Sequence, residues 1–463
     1  MANGLKLGAI LLGALLLATP ARAQFLFFGK KKQQDDPPPA FSNGAAPQDP
    51  QFAPDPKSVP KGAPEFCPGD DPHTPFVPVE EENRNAFLDY KTSEPAPLMI
   101  WLRADYLNWQ FKKPNLAAIL VTTDTAPNAF TDFGALGQPN TQVLLNSGTF
   151  NQGPIQGGRL TAGFCPGFFM PIEVSGFAMQ KSQSLFTAIS NGGPNDPVLA
   201  RPILSSQNGQ ESVILGGFPG LAAGSISVIS NTNLWGIEAN AFFNCVDLDV
   251  WSLDLYFGYR YQELRENILI FNPLTALNGL VIPFDSSVSG VTTVGRYDQF
   301  ATRNQFNGGQ MAFRNCLNFG RLAFILDGKL ALGETQELVN IFGTTTAPAA
   351  DAAFRGSPAT NGGVLAVPSN SGIHHKHEFT YIPEFDFNVG FQVHRCARVF
   401  AGISWMYWNR VVRPGDQISN VIDSRQIPTS NFFTGQTVTQ PPAPFFKTDF
   451  FAYGFNIGVL IGF

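Results

Sequence analysis

Histidines, groups able to ligate a metal or move a proton, are few in this chain: His73, His374, His375, His377 and His394. Three lie in Ile373-His374-His375-Lys376-His377-Glu378. In an extended chain His375 and His377 share one face, a spacing that two metal ligands can use. Lys376 between them and the lack of a nucleophile motif nearby favour polar loop residues. His73 falls in a Pro-rich segment and His394 beside a tight turn. The expectation is therefore no catalytic residue, no resident metal and no cofactor.

The second group with chemical potential is a set of charges on the polar faces of alternating runs. Seven acids belong to it: Asp105, Glu173, Glu238, Asp254, Asp327, Glu384 and Asp386. Five bases join them: Arg103, Arg159, Lys181, Arg260 and Lys329. If these faces meet in one interior, the charges must pair, because an unpaired buried charge costs several kcal/mol. The near balance of sign suggests interlocked ion pairs; a selective pore more often carries a ring of one sign.

The elements that position these charges have period 2. In Glu378–Val393, Phe379, Tyr381, Phe385, Phe387, Val389, Phe391 and Val393 share one face, and Glu378, Thr380, Glu384, Asp386, Asn388 and Gln392 the other. Such alternation marks a strand with one apolar and one polar side. Leu248–Gln262 and Arg321–Leu332 read the same way. Ten strands are expected near 98–111, 155–164, 168–181, 232–243, 248–264, 300–314, 319–334, 377–393, 398–411 and 449–463. Tight turns around Cys165, Cys245, Cys316 and Cys396 alternate with long connections at 112–154, 182–231, 265–299, 335–376 and 412–448. An even strand number with alternating short turns and long external loops is the layout of a transmembrane, up-and-down antiparallel β-barrel. The strands are about twice the 5–6 residues usual in a soluble sandwich.

The ends carry further signals. Residues 1–23 read as a signal peptide: Lys6, an apolar Leu7–Ala18 core, and Ala21-Arg22-Ala23 as cleavage site. Residues 24–97 hold 15 Pro from Pro37 to Pro97, with 12 acidic against 7 basic groups. They are expected to form a disordered periplasmic tail, leaving 98–463 as the barrel. At the other end Phe451, Tyr453, Phe455, Ile457, Val459, Ile461 and Phe463 alternate with small or polar residues. A terminal aromatic on such a strand resembles the signal read by the barrel assembly machinery of the outer membrane. Trp405, Tyr407 and Trp408, with Trp101, Tyr106 and Trp109, are candidates for interfacial aromatic girdles. Trp408 is set on a different face from Trp405. Cys67, Cys165, Cys245, Cys316 and Cys396 could form disulfides in an oxidising periplasm, with the pairing open.

Composition narrows the classes. Charged residues are 14%, aromatics 13%, and 43 residues are Phe. A net charge of -6 excludes the basic excess of a nucleic-acid binder. The order of Trp101–Leu107, Gly157–Thr161, Phe218-Pro219-Gly220, Ser225–Val228, Leu234–Asn240, Gly258–Tyr261, Gly308-Gly309-Gln310 and Val412–Ile418 resembles a family of planctomycete outer-membrane β-barrel proteins without an assigned activity. The resemblance implies a barrel at the cell surface and supplies neither substrate nor catalytic residues. The expected function is a structural or surface-interaction role, with the long loops as the exposed surface and no enzymatic activity. A narrow passive channel for ions or small solutes is the alternative. The expected partners are outer-membrane lipid, the assembly machinery during biogenesis, and a surface partner that the sequence does not name.

Overall fold

The computed structural model describes residues 99–124, 133–147, 153–166, 170–280, 292–347, 359–435 and 438–463. The expected signal peptide, the Pro-rich tail, Cys67 and His73 lie outside them. The strands are β1 (Met99–Phe111), β2 (Val121–Asp124), β3 (Thr141–Leu145), β4 (Ile155–Cys165), β5 (Ile172–Met179), β6 (Ser182–Ser190), β7 (Val198–Ser205), β8 (Glu211–Gly217) and β9 (Ala222–Asp247). They continue as β10 (Trp251–Ala276), β11 (Thr293–Phe319), β12 (Leu322–Thr346), β13 (Ala359–Asn361), β14 (Gly372–His394), β15 (Ala397–Val412), β16 (Val421–Ile422) and β17 (Lys447–Gly462).

Ten of them close into a ring: β1, β4, β5, β9, β10, β11, β12, β14, β15 and β17, with β17 paired back to β1 from Trp101↔Gly462 to Phe111↔Ala452. Every pair in the ring is antiparallel. Closure satisfies the backbone groups that an open edge would leave bare in lipid. Among the described residues no helix is long and apolar enough to cross a membrane.

The strands are longer than the alternating runs foretold. β9, β10, β11 and β12 span 26, 26, 27 and 25 residues, against the roughly 9–11 that a tilted membrane span needs. Their apolar side changes partway along. In β12, Leu326 and Leu332 face outward near the turns, whereas Val339 and Ile341 face inward toward the loops. In β10, Phe257 and Tyr259 point out and Leu264, Ile268 and Ile270 point in. The turn-side half has the apolar belt of a barrel in lipid. The loop-side half has the apolar interior of a protein in water.

What fills that second interior is the loops themselves. A small sheet runs β16-β7-β2-β3, with β8 on β7. Leu120 beside it and its Val121, Leu145, Leu199 and Ile203, together with Val364–Val367, Ile418, Ile422 and Ile427, form one core with Ile226, Val228, Ile268, Ile270, Phe300, Val339 and Ile341 of the wall. The loops were expected to be the exposed surface. Much of their length is buried instead, because their apolar residues cover the inward apolar face of the wall.

One strand breaks and shifts phase. Ala178 of β5 pairs with Trp235 of β9, and Ser182 of β6 pairs with Thr232. Four steps on one side match three on the other, a one-residue bulge at Gln180–Lys181. This corrects the placement of Lys181: it is exposed outside the barrel, not in the lumen.

Candidate functional site in the barrel lumen

Strict alternation delivers the other eleven expected charges to the interior. Asp105, Arg159, Glu173, Glu238, Asp254, Arg260, Asp327, Glu384 and Asp386 are buried. The side chains of Arg103 and Lys329 are each 13% exposed.

Nearest the turns, Arg314 binds Asp327 (Nε to Oδ1, 2.7 Å), Glu173 (3.5 Å) and the Tyr256 hydroxyl (2.8 Å). Arg103 pairs with Asp105 at 2.9 Å, and Asn244 donates to Asp254 at 2.9 Å. Trp101, Phe242, Tyr256 and Cys165 pack among these groups. Arg314 was missed as a lumen charge, although it keeps phase with Gln310 on β11.

Deeper in, Glu384 on β14 is a hub. It accepts from Arg159 of β4 at 3.1 Å and from Arg260 of β10 at 2.6 Å, with Lys329 of β12 at 3.7 Å. Arg159 also binds Asp386 at 3.2 Å. Lys329 binds Glu238 at 2.6 Å, and Gln310 donates to Glu238 and Asn240, each at 3.0 Å. Around the ring β15, β17 and β1 separate β14 from β4, and β11 and β12 separate it from β10. These bonds therefore run across the lumen. A cavity among Arg159, Ser175, Glu238, Arg260, Lys329 and Glu384 measures about 10 Å³, room for about one water.

Above the hub lies an apolar layer of Leu107, Trp109, Leu234, Leu264, Phe306, Ala331, Ile382, Met406 and Trp408. Phe306 and Trp408 meet edge to face at 6.2 Å, and the Trp408 indole donates to Thr335 at 3.2 Å. Trp101 and Trp109 are thus lumen residues, not girdle residues, because they share the odd-numbered face of Arg103 and Asp105. The outward aromatics at the upper rim of the apolar belt are Trp235, Tyr259, Tyr261, Tyr381, Trp405, Tyr407 and Tyr453. Three of their pairs stand 5.2–6.3 Å apart.

Higher still, Arg413 and Glu266 form a buried pair at 2.7 Å, and Arg413 donates to the carbonyls of Lys112 and Lys113. Asn304 holds Val412 by both its N–H and its C=O, each at 2.8 Å. Near the loop end, Asp298 binds Arg201 at 2.6 Å and accepts from the N–H groups of Val364, Leu365 and Ala366 at 2.7–2.9 Å. Glu337 faces inward with neither carboxylate oxygen hydrogen-bonded among the described residues, and burial pushes its pKa up to about 7. Arg201, Glu266, Arg296, Asp298, Glu337 and Arg413 sit in stretches taken as loops, where facing carried no meaning before the strands were seen to continue.

His375 and His377 are exposed, His377 bonds Glu334, and His374 is half-buried. Among the described residues no three His, Cys, Asp or Glu side chains gather as a metal site. Cys165, Cys245 and Cys316 carry free thiols, and Cys396 stands at the β14–β15 turn. Phe451, Tyr453, Phe455, Ile457, Val459 and Ile461 of β17, and Phe463 after it, lie on the outward side.

Residues 101–463 match the family model described as putative beta barrel porin-7 (BBP7). No curated protein sequence matches the chain. Among solved structures, the outer membrane protease OmpT of Escherichia coli is similar at 8% identity, covering 81% of this chain and 100% of its own, with a TM-score of 0.32. The Pseudomonas putida toluene transporter TodX is 9% identical over 82% of this chain and 91% of its own, with a TM-score of 0.17. A Pseudomonas aeruginosa FadL homologue shows 9% identity over 82% and 91%, with a TM-score of 0.16.

Proposed function

Because the chain belongs to the putative beta barrel porin-7 family, a family of outer-membrane barrels, we propose that it is a plugged barrel with a structural and surface-interaction role rather than a conducting pore. The observation that carries this reading is the Glu384 hub, whose bonds to Arg159 and Arg260 cross the lumen. The apolar layer with Trp109 and Trp408 and the loop core above it add two further seals. Ion permeation through such a stack would require breaking buried pairs, at several kcal/mol each.

In this reading the turn-side half sits in lipid and the loop end faces outward. The exposed tips of the loops, not their bodies, meet a surface partner. The outward face of β17 and Phe463 serves as the assembly signal, and no side chain is assigned a catalytic role. Planar-bilayer recording of the refolded chain tests the proposal. No stable conductance steps are expected. Reproducible open-state steps would instead support a narrow channel for ions or small solutes, and would show that the Glu384 hub rearranges.

A further inference from the structure

We infer that the loop end holds a buried site for one small monovalent anion, of chloride size, bound by Arg201. Arg201 and Asp298 are fully buried, and Arg296 is 3% exposed. Two guanidinium groups thus share one carboxylate in the interior. Asp298 already accepts four hydrogen bonds. Its Oδ2 takes Arg201 Nη1, and its Oδ1 takes three backbone N–H groups. Arg296 bonds only neutral acceptors: Thr429 at 2.9 Å, Asn272 at 2.9 Å and the Leu215 carbonyl at 2.6 Å. Desolvation, with Arg201 adding like-charge repulsion, pushes the Arg296 guanidinium down to about 9.

Arg201 supplies the second, independent observation. Its Nε and Nη2 are buried and have no hydrogen-bond partner among the described residues. Those two N–H groups form the side-on fork with which a guanidinium grips an anion. A water there would satisfy a donor but leave the charge, and an uncompensated buried charge is the costly part. The surplus of one positive charge selects a monovalent ligand. Complete burial selects a small one without an attached tail. Bound there, the anion would neutralise the junction where β7 and β8 of the small sheet meet β11 of the wall and the 364–366 segment.

The test uses the full chain refolded in detergent. The midpoint of its heat-modifiable gel migration is followed against sodium chloride, with sodium gluconate holding the ionic strength. A saturable rise of a few degrees in chloride, absent in gluconate, is expected from linkage. Bromide-soaked crystals should show an anomalous peak within hydrogen-bond distance of Arg201 Nε and Nη2. In Arg201→Lys, which keeps the charge without the fork, half-saturation should move at least tenfold higher. Equal midpoints in chloride and gluconate overturn the proposal, as does a missing bromide peak at saturating bromide. An unchanged chloride response in Arg201→Lys places the anion elsewhere and overturns the assignment to Arg201.

Discussion

The two halves of this barrel solve opposite problems with the same strands. Near the turns, β10 and β12 put Phe257 and Leu326 outward and Arg260 and Asp327 inward. Toward the loops the same strands put Ile268 and Ile341 inward, with Arg265 and Asn340 on the other side. The pleat does not change; the chemistry laid on it does. The crossover falls beside the outward aromatics Trp235, Tyr259, Tyr261, Tyr381 and Tyr407, where interfacial rings belong. The lower interior is crossed by ion pairs that the strands make themselves. The upper interior is filled by the long connections, which fold back inside and carry the small β2–β3–β7–β8–β16 sheet.

The largest effects should come from the lower half. Glu384→Ala leaves Arg159, Arg260 and Lys329 without their shared carboxylate, and breaking a buried pair costs about 3–5 kcal/mol. Urea unfolding in detergent should show that loss. A change below about 1 kcal/mol would mean that water already compensates these cations, and the lower seal would be leaky.

Facing in the lower half is tested next. Phe387→Arg places a charge on the lipid face and should cost about 2–4 kcal/mol of membrane stability. Asp386→Asn on the adjacent inward position should leave insertion largely intact. A spin label at 387 should be accessible to lipid-soluble oxygen and one at 386 should not. Equal access at both would break the assignment of the lower half to lipid.

The upper half should respond as a soluble core does. Ile341→Val trims one buried methylene and should cost about 0.5–1.5 kcal/mol. Limited proteolysis of the loops should accelerate, while heat-modifiable migration of the barrel persists. Simultaneous loss of both would show that the two halves unfold as one unit.

A pH dependence is expected of the upper half alone. Glu337 has its pKa raised from 4.5 to about 7 in the folded state. Its contribution is therefore complete below pH 4.5 and is lost as pH rises through about 7. The loop-proteolysis rate should increase between pH 5 and 8, and Glu337→Gln should flatten that increase. A flat profile in the unaltered protein would mean that Glu337 is hydrated and charged throughout.

Period 2 was enough to read the ring and its ten strands, because the pleat ties side-chain direction to residue parity. Lys181 was misplaced because a one-residue bulge flips parity, and a bulge leaves no mark in the alternation on either side of it. The loop-side ends of β9 to β12 were read as loops for a related reason. Where the apolar side changes face, a pattern search sees one run end.

The sequence by itself determined that strands of this length and alternation must close into a barrel, and which side chains share a face. Only the tertiary structure decided which partners those faces meet. Alternation orders residues along one strand, whereas pairs such as Arg159–Glu384 and Arg201–Asp298 join residues 225 and 97 positions apart. Their geometry depends on ring order, on register and on loops folding back inside, and no local spacing encodes these.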